Sequence, residues 1–286
     1  MNSEEGRLAV SAGEIAQQVV AMAVWAPSVH NTQPWWFASD GRQICLYADA
    51  RRQLLIADPH GREMLISCGA ALFTARLALR SLGYVPDTSV LPEPRDPDLL
   101  ARISWPRRAA VTAYESDLAA QVRQRRTHRA GFEALPLPDG LLPALQSGAE
   151  RDGTALHEVS DAGGRSAGTV CLLTTPDDRP ADWLNAGQAL QRILLTAAVH
   201  GIATALHRQP TEVSWLRDNL RAQFCDGAWP QLVLRFGAAI QMEQSVRRAT
   251  ADVLRGLANE KPMLEPPPCA GHQCLWPALA SCITVT

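Results

Sequence analysis

Apolar residues recur at the 3.6-residue period of an α-helix in three long stretches of the chain. These stretches are Ala12–Val24, Pro59–Leu82 and Trp183–His200. The second and third each follow an aspartate that can cap a helix, Asp58 or Asp182, and each ends before a glycine, Gly83 or Gly201. Pro59 suits the first position of a helix, where the N–H that proline lacks would have no partner. The pattern therefore predicts three helices, two of them long.

Short apolar runs bounded by turn residues predict strands. The runs are Trp35–Phe37, Ile44–Tyr47, Val170–Thr174 and Gln231–Phe236. The first two flank the turn 39–42 and predict a hairpin. Residues 86–98 hold four prolines and predict an extended crossing segment, which a helix near Glu115–Arg126 follows. Beyond Leu254 the pattern weakens, and the tail has no assignment.

The two long helices resemble each other at a constant offset of 118 residues. Five aligned pairs are identical: Gly69/Gly187, Ala71/Ala189, Leu72/Leu190, Leu77/Leu195 and Gly83/Gly201. Both helices also carry small residues that allow the backbones of two helices to approach closely. One interpretation is a duplicated α+β unit whose two central helices pack together, and the other is that any two buried helices look alike.

The composition excludes several classes of protein. The chain has 286 residues, 47% of them apolar, and 27 basic against 29 acidic side chains. Such a chain is too apolar to be mainly disordered, and it lacks the basic footprint of a nucleic-acid binder. Its first twenty residues have no secretory pattern, Met64–Leu79 is too interrupted for a membrane span, and the seven cysteines are scattered. We therefore expect a cytoplasmic protein with no nucleic-acid or membrane partner.

Residues 26–35, Ala-Pro-Ser-Val-His-Asn-Thr-Gln-Pro-Trp, form the most distinctive segment. Two prolines stiffen a loop that presents Ser28, Asn31 and Gln33. Hydroxyl and carboxamide groups both donate and accept hydrogen bonds, which suits the edge of a flavin ring or the hydroxyls of its ribityl chain. The alternative is a capped loop between a helix and a strand, where such residues are common.

Two basic segments are candidates for binding a phosphate. Arg125–Phe132 holds three arginines and a threonine hydroxyl, and Arg247–Arg248 precedes Asp252–Leu254. Guanidinium groups bind phosphate oxygens through charge-assisted hydrogen bonds. The alternative for each segment is a solvated basic face. Cysteines and a histidine at Cys269–Cys274 have zinc-type chemistry but irregular spacing, so no metal site is predicted.

Taken together and in this order, the segments resemble the nitroreductase superfamily of FMN-dependent flavoproteins, and within it the Acg-type branch of actinobacteria. Residues 26–35 resemble the family element A-P-S-x-x-N-x-Q-P-W, and residues 125–129 resemble R-R-[ST]-x-R. Gly201–Thr204 resembles the segment beside the flavin ring, and Pro230–Gly237 resembles a late strand. Arg247–Leu254 resembles the closing phosphate-side motif of the branch. The likeness runs from about Ile15 to about Leu254.

The resemblance implies an α+β, nitroreductase-like fold, internally duplicated as a pseudo-dimer with two central packed helices. The expected halves are residues 1–115 and 116–258, with 259–286 as an unassigned tail. The loop near residue 30 and the arginine element near residue 127 fall in different halves, so one flavin site is expected at their junction. The lid segment of the Acg-type branch is reduced here to 161–169.

The resemblance also implies FMN as the cofactor and a set of residues that bind it. The set is Ser28, Asn31, Gln33, Pro34, Trp35, Arg125, Thr127, Arg129, Gly201, Ile202, Arg247 and Arg248. No side chain is expected to act as a catalytic acid or base. The expected activity is reduction of nitroaromatic or quinone-like acceptors by NAD(P)H, in a monomeric pseudo-dimer or a homodimer. The alternative is a protein that stores or sequesters FMN without turnover.

Overall fold

The two long helices pack against each other at the centre of the molecule, and each lies on its own β-sheet. The structure, a computed structural model, describes residues 11–126, 128, 132, 136–159, 168–207, 209–238 and 245–256. The layers therefore run from the first sheet through the two helices to the second sheet. This α+β arrangement confirms the expected fold class.

The helices and strands are numbered in chain order. The helices are α1 (Ala12–Ala23), α2 (Arg62–Ser81), α3 (Ala113–Gln121), α4 (Leu141–Glu150), α5 (Pro180–Val199), α6 (Gln209–Glu212), α7 (Ser214–Phe224) and α8 (Thr250–Val253). The strands are β1 (Trp35–Ser39), β2 (Gln43–Ala48), β3 (Tyr84–Val90), β4 (Leu99–Arg108), β5 (Ala155–Glu158), β6 (Thr169–Thr175), β7 (Ala203–His207), β8 (Trp229–Gly237) and β9 (Leu254–Gly256). Short 3₁₀ turns occupy Val29–Asn31 and Ala50–Arg52.

The order of the strands shows that the fold is duplicated. The first sheet runs β3-β4-β2-β1-β9, and the second runs β7-β8-β6-β5. Strands β5 to β8 thus repeat the arrangement of β1 to β4, with antiparallel pairs throughout both sets. The boundaries of α5 lie 118 residues after those of α2, which is the offset found in the sequence.

A reciprocal contact between two glycines marks the axis that relates the halves. A Cβ atom built on Gly69 would lie 2.1 Å from the carbonyl oxygen of Leu184, and one on Gly187 would lie 2.0 Å from that of Ile66. These two contacts exchange under the 118-residue offset, as they do at a two-fold interface. The duplicated pseudo-dimer with two central packed helices is therefore confirmed.

The C-terminal part of the described chain returns to the first sheet. Strand β9 pairs in parallel with β1, with Phe37 opposite Leu254. The guanidinium of Arg255 lies 4.8 Å from the ring centroid of Trp36. The second half thus contributes the last strand of the first half's sheet.

A buried polar network also joins the halves. The guanidinium of Arg62 at the start of α2 donates to the carbonyl of Gln231 in β8 at 2.7 Å and pairs with Glu63 at 2.7 Å. The side chain of Gln231 donates to Asp178 at 3.1 Å, which also accepts two hydrogen bonds from Arg217. Burial would raise the pKa of Asp178, but these hydrogen bonds outweigh it and hold that pKa at about 2. The network fixes the first turn of α2 against the second half.

Both long helices differ from the prediction at their N-termini. α2 begins at Arg62 rather than Pro59, after a left-handed Gly61 (φ 72°). The carboxylate of Asp58 still caps it, from further upstream, by accepting from the amides of Glu63 at 3.1 Å and Met64 at 2.8 Å.

α5 begins three residues before the predicted Trp183, because Pro180 takes the first helical position. Asp182 lies inside the first turn and accepts from the amide of Arg179 at 3.1 Å. The predicted ends are confirmed, since Gly83 and Gly201 have φ values of 81° and 70°.

The prediction for the proline-rich segment was only partly correct. The prediction of an extended crossing segment over 86–98 missed the pairing of β3 with β4. Pro86 lies at an irregularity in that pairing, between Val85 and Asp87, where no ladder hydrogen bond is needed from its nitrogen. Elements α4, α7, β5 and β7 were not predicted, whereas the four predicted strands and the first helix are present.

The division into residues 1–115 and 116–258 stays a prediction, and its boundary falls inside α3, which contacts both α2 and α5. The tail 259–286 and most of the shortened lid segment lie outside the described residues.

One helix has the length and composition of a membrane span. Residues 62–81 pass that test, but 83% of the window is buried inside the protein. The central position of α2 between a sheet and α5 accounts for its apolar character.

Replacement of Gly69 by alanine should destabilise the protein. The added methyl has no room against the carbonyl of Leu184, and overpacking of this kind typically costs about 1–3 kcal/mol. Gly13→Ala is the matched control, because nothing lies within 4 Å of its Cβ position and alanine favours a helix by about 0.5–1 kcal/mol. Urea unfolding measures both; equal midpoints would contradict the close crossing of α2 and α5.

Candidate cofactor site

The loop between α1 and β1 has an unusual backbone. His30, Asn31 and Gln33 all have positive φ values, 43°, 57° and 48°. Residues other than glycine seldom adopt this region, and each such residue costs of order 1–3 kcal/mol. The conformation persists only where the surroundings fix it, and it turns polar side chains of the loop towards the junction of the halves.

The first contact that fixes the loop comes from α2. The hydroxyl of Ser67 accepts from the amide of Val29 at 3.0 Å and donates to the carbonyl of Glu63 at 2.7 Å. Within the loop, the hydroxyl of Ser28 accepts from the amide of Gln33 at 3.0 Å. The loop is thus fastened to the N-terminal half of α2, the same part of the helix that the buried network holds.

The second contact comes from the C-terminal segment 245–256. The side-chain amide of Asn31 donates to the carbonyl of Val246 at 3.0 Å and accepts from the guanidinium of Arg247 at 3.1 Å. The amide of Arg248 donates to the side chain of Gln33 at 2.8 Å. Four of the predicted site residues therefore meet, although they are more than 200 positions apart in the chain.

Arg248 acts as a brace in this arrangement. Its guanidinium donates to the carbonyls of Gln33 at 3.3 Å, Trp35 at 3.1 Å and Asp252 at 3.0 Å. All three acceptors belong to the backbone, so the side chain ties the C-terminal segment to the end of the loop.

Arg125 and Arg247 form the positively charged centre of the site. Arg125 is only 4% exposed, and it donates to the carbonyl of Trp25 at 3.5 Å. Burial, together with the positive charges of Arg247 and Arg126, lowers the pKa of Arg125 to about 9. Burial and Arg126 also lower the pKa of Arg247, whose Nε is buried and has no hydrogen-bond acceptor in the part of the chain that the structure describes. A bound anion would relieve these unfavourable interactions.

Three guanidinium groups surround the indole of Trp25. Those of Arg123, Arg126 and Arg247 lie 5.7, 5.7 and 5.8 Å from its ring centroid. Within the described residues, none of the three has a carboxylate within 4.0 Å. The indole, Arg123 and residues 245–250 line a cleft of about 450 Å³, a volume within the range of ligand sites.

The arginine element packs on the second sheet. The amide of His128 donates to the carbonyl of Thr204 in β7 at 2.9 Å, and the ring of Phe132 lies against Gly237 at the end of β8. A Cβ atom on Gly237 would come within 2.8 Å of that ring, so glycine makes room for it. Thr127 and Arg129 lie outside the described residues.

The remaining predicted residues, Pro34, Trp35, Gly201 and Ile202, are not among the described residues that line the cleft. Trp35 is fully buried in β1, and the carbonyl of Pro34 accepts from the amide of Asp49 at 2.9 Å. The amides of Gly201 and Ile202 donate to carbonyls of α5 and close the end of that helix. Their proposed role beside the flavin stays a prediction.

Three residues of the site were not predicted from the sequence: Trp25, Ser67 and Arg123. Ser67 is a polar residue in an apolar helical stretch, and that is a usable signal. Trp25 and Arg123 each stand just before a predicted motif, and nothing in the sequence indicates that they meet.

Among the described residues, no group of His, Cys, Asp or Glu could hold a metal ion, and Cys269–Cys274 lies outside them.

No family model matches the sequence. A Mycobacterium tuberculosis protein with the provisional name NAD(P)H nitroreductase is 30% identical over 300 residues, which cover 79% of this chain and 86% of the relative. The chain therefore belongs to the nitroreductase family.

Two further comparisons agree with this result. A second Mycobacterium tuberculosis protein, provisionally named NAD(P)H nitroreductase acg, is 26% identical over 301 residues, covering 81% of this chain and 91% of the relative. This likeness confirms the resemblance to the Acg-type branch. The crystal structure of a provisionally named nitroreductase from Anabaena variabilis has a TM-score of 0.59 at 10% identity and covers 79% of this chain and 88% of that chain.

Ser67→Ala should loosen the loop. The variant leaves the buried amide of Val29 without an acceptor, which typically costs about 1–3 kcal/mol. Ser81→Ala is the control, because the hydroxyl of Ser81 bonds only to the carbonyl of Ala78 in its own helix, and it should change stability by less than about 0.5 kcal/mol. Unfolding midpoints in urea compare the two. Equal midpoints would show that Ser67 does not hold the loop.

Proposed function

We propose that the protein is an FMN-dependent NAD(P)H oxidoreductase that binds one flavin at the junction of its halves. The observation that carries this proposal is the meeting of two guanidinium groups, those of buried Arg125 and half-buried Arg247, beside a strained polar loop. Guanidinium groups in such a position bind a phosphate through charge-assisted hydrogen bonds.

The donor set fits a phosphate. The Nε of Arg247 is a buried N–H group with no acceptor among the described residues, and buried donors in native proteins normally have one. Arg125, which is only 4% exposed, lies beside Arg247. Thr127 and Arg129, in the same family element, remain proposed contacts of the phosphate. Arg248 was also predicted as a phosphate ligand, and we assign it instead to support of the loop, because both terminal nitrogens of its guanidinium donate to carbonyls. In Arg247 a single terminal nitrogen makes all the bonds to the described residues, donating to Asn31, Ser245 and Val246.

The loop fits the other end of the flavin. Ser28 and Asn31 are partly exposed at the junction and carry groups that donate and accept. Gln33 is 6% exposed and holds the backbone of Arg248, so it shapes the site even where it does not touch the ligand. Gly201, Ile202, Pro34 and Trp35 stay in the proposed set as neighbours of the ring, on the strength of the family resemblance.

The length of two connections supports a single site. The connection between α1 and β1 runs over residues 24–34 and forms the polar loop. Its counterpart in the second half, between α4 and β5, runs only over 151–154. Four residues cannot form a second loop of the same kind, so we propose one flavin in each chain.

The chemistry belongs to the cofactor. When bound, FMN supplies two-electron transfer between a nicotinamide donor and an acceptor such as a nitroaromatic or a quinone. The chain's residues bind and orient the flavin, and we nominate no side chain as a catalytic acid. The names of the two mycobacterial relatives support NAD(P)H as the donor.

The cytoplasm is the proposed location, and free thiols support it. The described cysteines, Cys45, Cys68, Cys171 and Cys225, are all buried and unpaired. Burial raises the pKa of the Cys171 thiol to about 12. Such thiols are typical of a reducing compartment.

Arg247→Gln should weaken FMN binding about tenfold or more. Each charge-assisted hydrogen bond is worth about 1.5–3 kcal/mol, and 1.4 kcal/mol corresponds to one decade in affinity. Riboflavin lacks the phosphate, so its affinity should change less than about twofold. Titration of the apoprotein, followed by flavin fluorescence, measures both ligands. Arg107→Gln, at the exposed C-terminal end of β4, is the control and should behave as the parent.

Unchanged FMN affinity in a folded Arg247→Gln protein would show that the arginines form only a basic surface. Reduction of the bound flavin by NADH or NADPH, followed by reoxidation with a nitroaromatic, tests the activity itself. A bound flavin that neither nucleotide reduces would favour the alternative, a protein that stores FMN.

A further inference from the structure

Besides Arg125 and Arg247, two further guanidinium groups lie near the indole of Trp25. Arg126 is half-buried and Arg123 is exposed, and their guanidinium groups both lie 5.7 Å from the centroid of the indole. Arg123 lines the cleft of about 450 Å³ together with Arg247 and Arg248, and Ala21 in α1 and Val24 just after it add apolar surface.

The flavin phosphate does not need these two arginines. A phosphate monoester carries about 1.5–2 negative charges, and the guanidinium groups of Arg125 and Arg247 match that charge. Arg126 donates to the carbonyls of Arg123 at 2.5 Å and Arg125 at 2.8 Å, which fixes its position and leaves its charge unbalanced. Neither Arg123 nor Arg126 has a carboxylate within 4.0 Å among the described residues. Arg123, which lines the cleft, therefore offers a second phosphate a positive charge beyond the two assigned to the flavin phosphate.

The wall of the cleft suits a ligand that joins that phosphate to an aromatic base. An indole and two aliphatic side chains provide apolar surface, while guanidinium groups stack on aromatic rings and bind phosphate oxygens. An arginine beside the adenosine is the usual means of accommodating the 2′-phosphate that distinguishes NADP from NAD.

We propose that this cleft binds the adenosine 2′-phosphate of the electron donor, so that the protein uses NADPH in preference to NADH. The inference rests on the proposed function, because the nicotinamide must reach the flavin for the donor to act. A dinucleotide is longer than the ribityl phosphate arm of FMN, so its adenosine end can extend past the flavin phosphate into the cleft. Arg123 then determines donor specificity and takes no part in holding the flavin.

Calorimetric titration of the FMN-loaded protein with NADP⁺ and NAD⁺ tests this directly, since the two ligands differ by one phosphate. The parent should bind NADP⁺ at least tenfold more tightly than NAD⁺. Arg123→Gln should weaken NADP⁺ about tenfold and NAD⁺ less than threefold, by loss of a charge-assisted hydrogen bond. The ratio of kcat/KM for NADPH over NADH should fall by the same factor. Arg107→Gln should keep the parental ratio.

A competition experiment separates a 2′-phosphate site from a general anion site. Adenosine 2′-monophosphate should displace NADP⁺ at a concentration at least tenfold lower than adenosine 5′-monophosphate, which carries the same charge. Equal competition by the two would overturn the proposal. So would equal affinity of the parent for NADP⁺ and NAD⁺, or an equal loss of both in Arg123→Gln.

The absorption spectrum of the loaded protein distinguishes failure of this inference from failure of the proposed function. A flavin spectrum with no preference between the dinucleotides overturns only the inference about Arg123. A protein that takes up no FMN overturns the proposed function and this inference together.

Discussion

The close crossing of α2 and α5 at Gly69 and Gly187 is the constraint on which the rest of the structure depends. A side chain at either position would meet a backbone carbonyl of the other helix. Two sheets of matching strand order are thereby held in a fixed relation, one on each side of the helix pair. Everything at the junction of the halves is positioned through this contact, because α2 holds the polar loop of the first half and α5 leads into the strands of the second.

The candidate site uses that fixed relation to bring distant groups together. The polar loop comes from the first half, Arg125 from the start of the second, and Arg247 and Arg248 from the C-terminal segment that returns to the first sheet. Strained backbone in the loop is stabilised by a hydrogen bond that Val29 donates to Ser67 and by those that the two C-terminal arginines donate to Asn31 and Gln33. Positive charges meet at the same place and raise each other's free energy, which favours an anionic ligand. Strain and unbalanced charge at one place are features of a binding site more than of a structural core.

Several residues of the site could be identified from the sequence, because they stand in short local motifs. Asn31, Gln33, Arg247 and Arg248 stand in short segments whose residue types already indicate their chemistry. Their roles were less accessible. Arg248 has the residue type of a phosphate ligand, yet its guanidinium serves three backbone carbonyls, because the fold places those carbonyls around it. Trp25 and Arg123 were missed because a cluster formed by α1, the end of α3 and the C-terminal segment has no signature along the chain.

The sequence by itself determined the central helices, their glycine ends, the 118-residue repeat and the family, since helix periodicity, left-handed glycines and short motifs are local properties. Only the tertiary structure decided which strands pair, where each helix begins and which arginines remain without a carboxylate. Strand pairing depends on contacts between distant segments, as for β9 on β1 or β3 on β4 across its proline-rich connection. The N-terminus of α2 depends on whether Asp58 can reach the amides of Glu63 and Met64. The charge balance of an arginine is likewise a property of its neighbours in space, and those neighbours are set by the packing of the two halves.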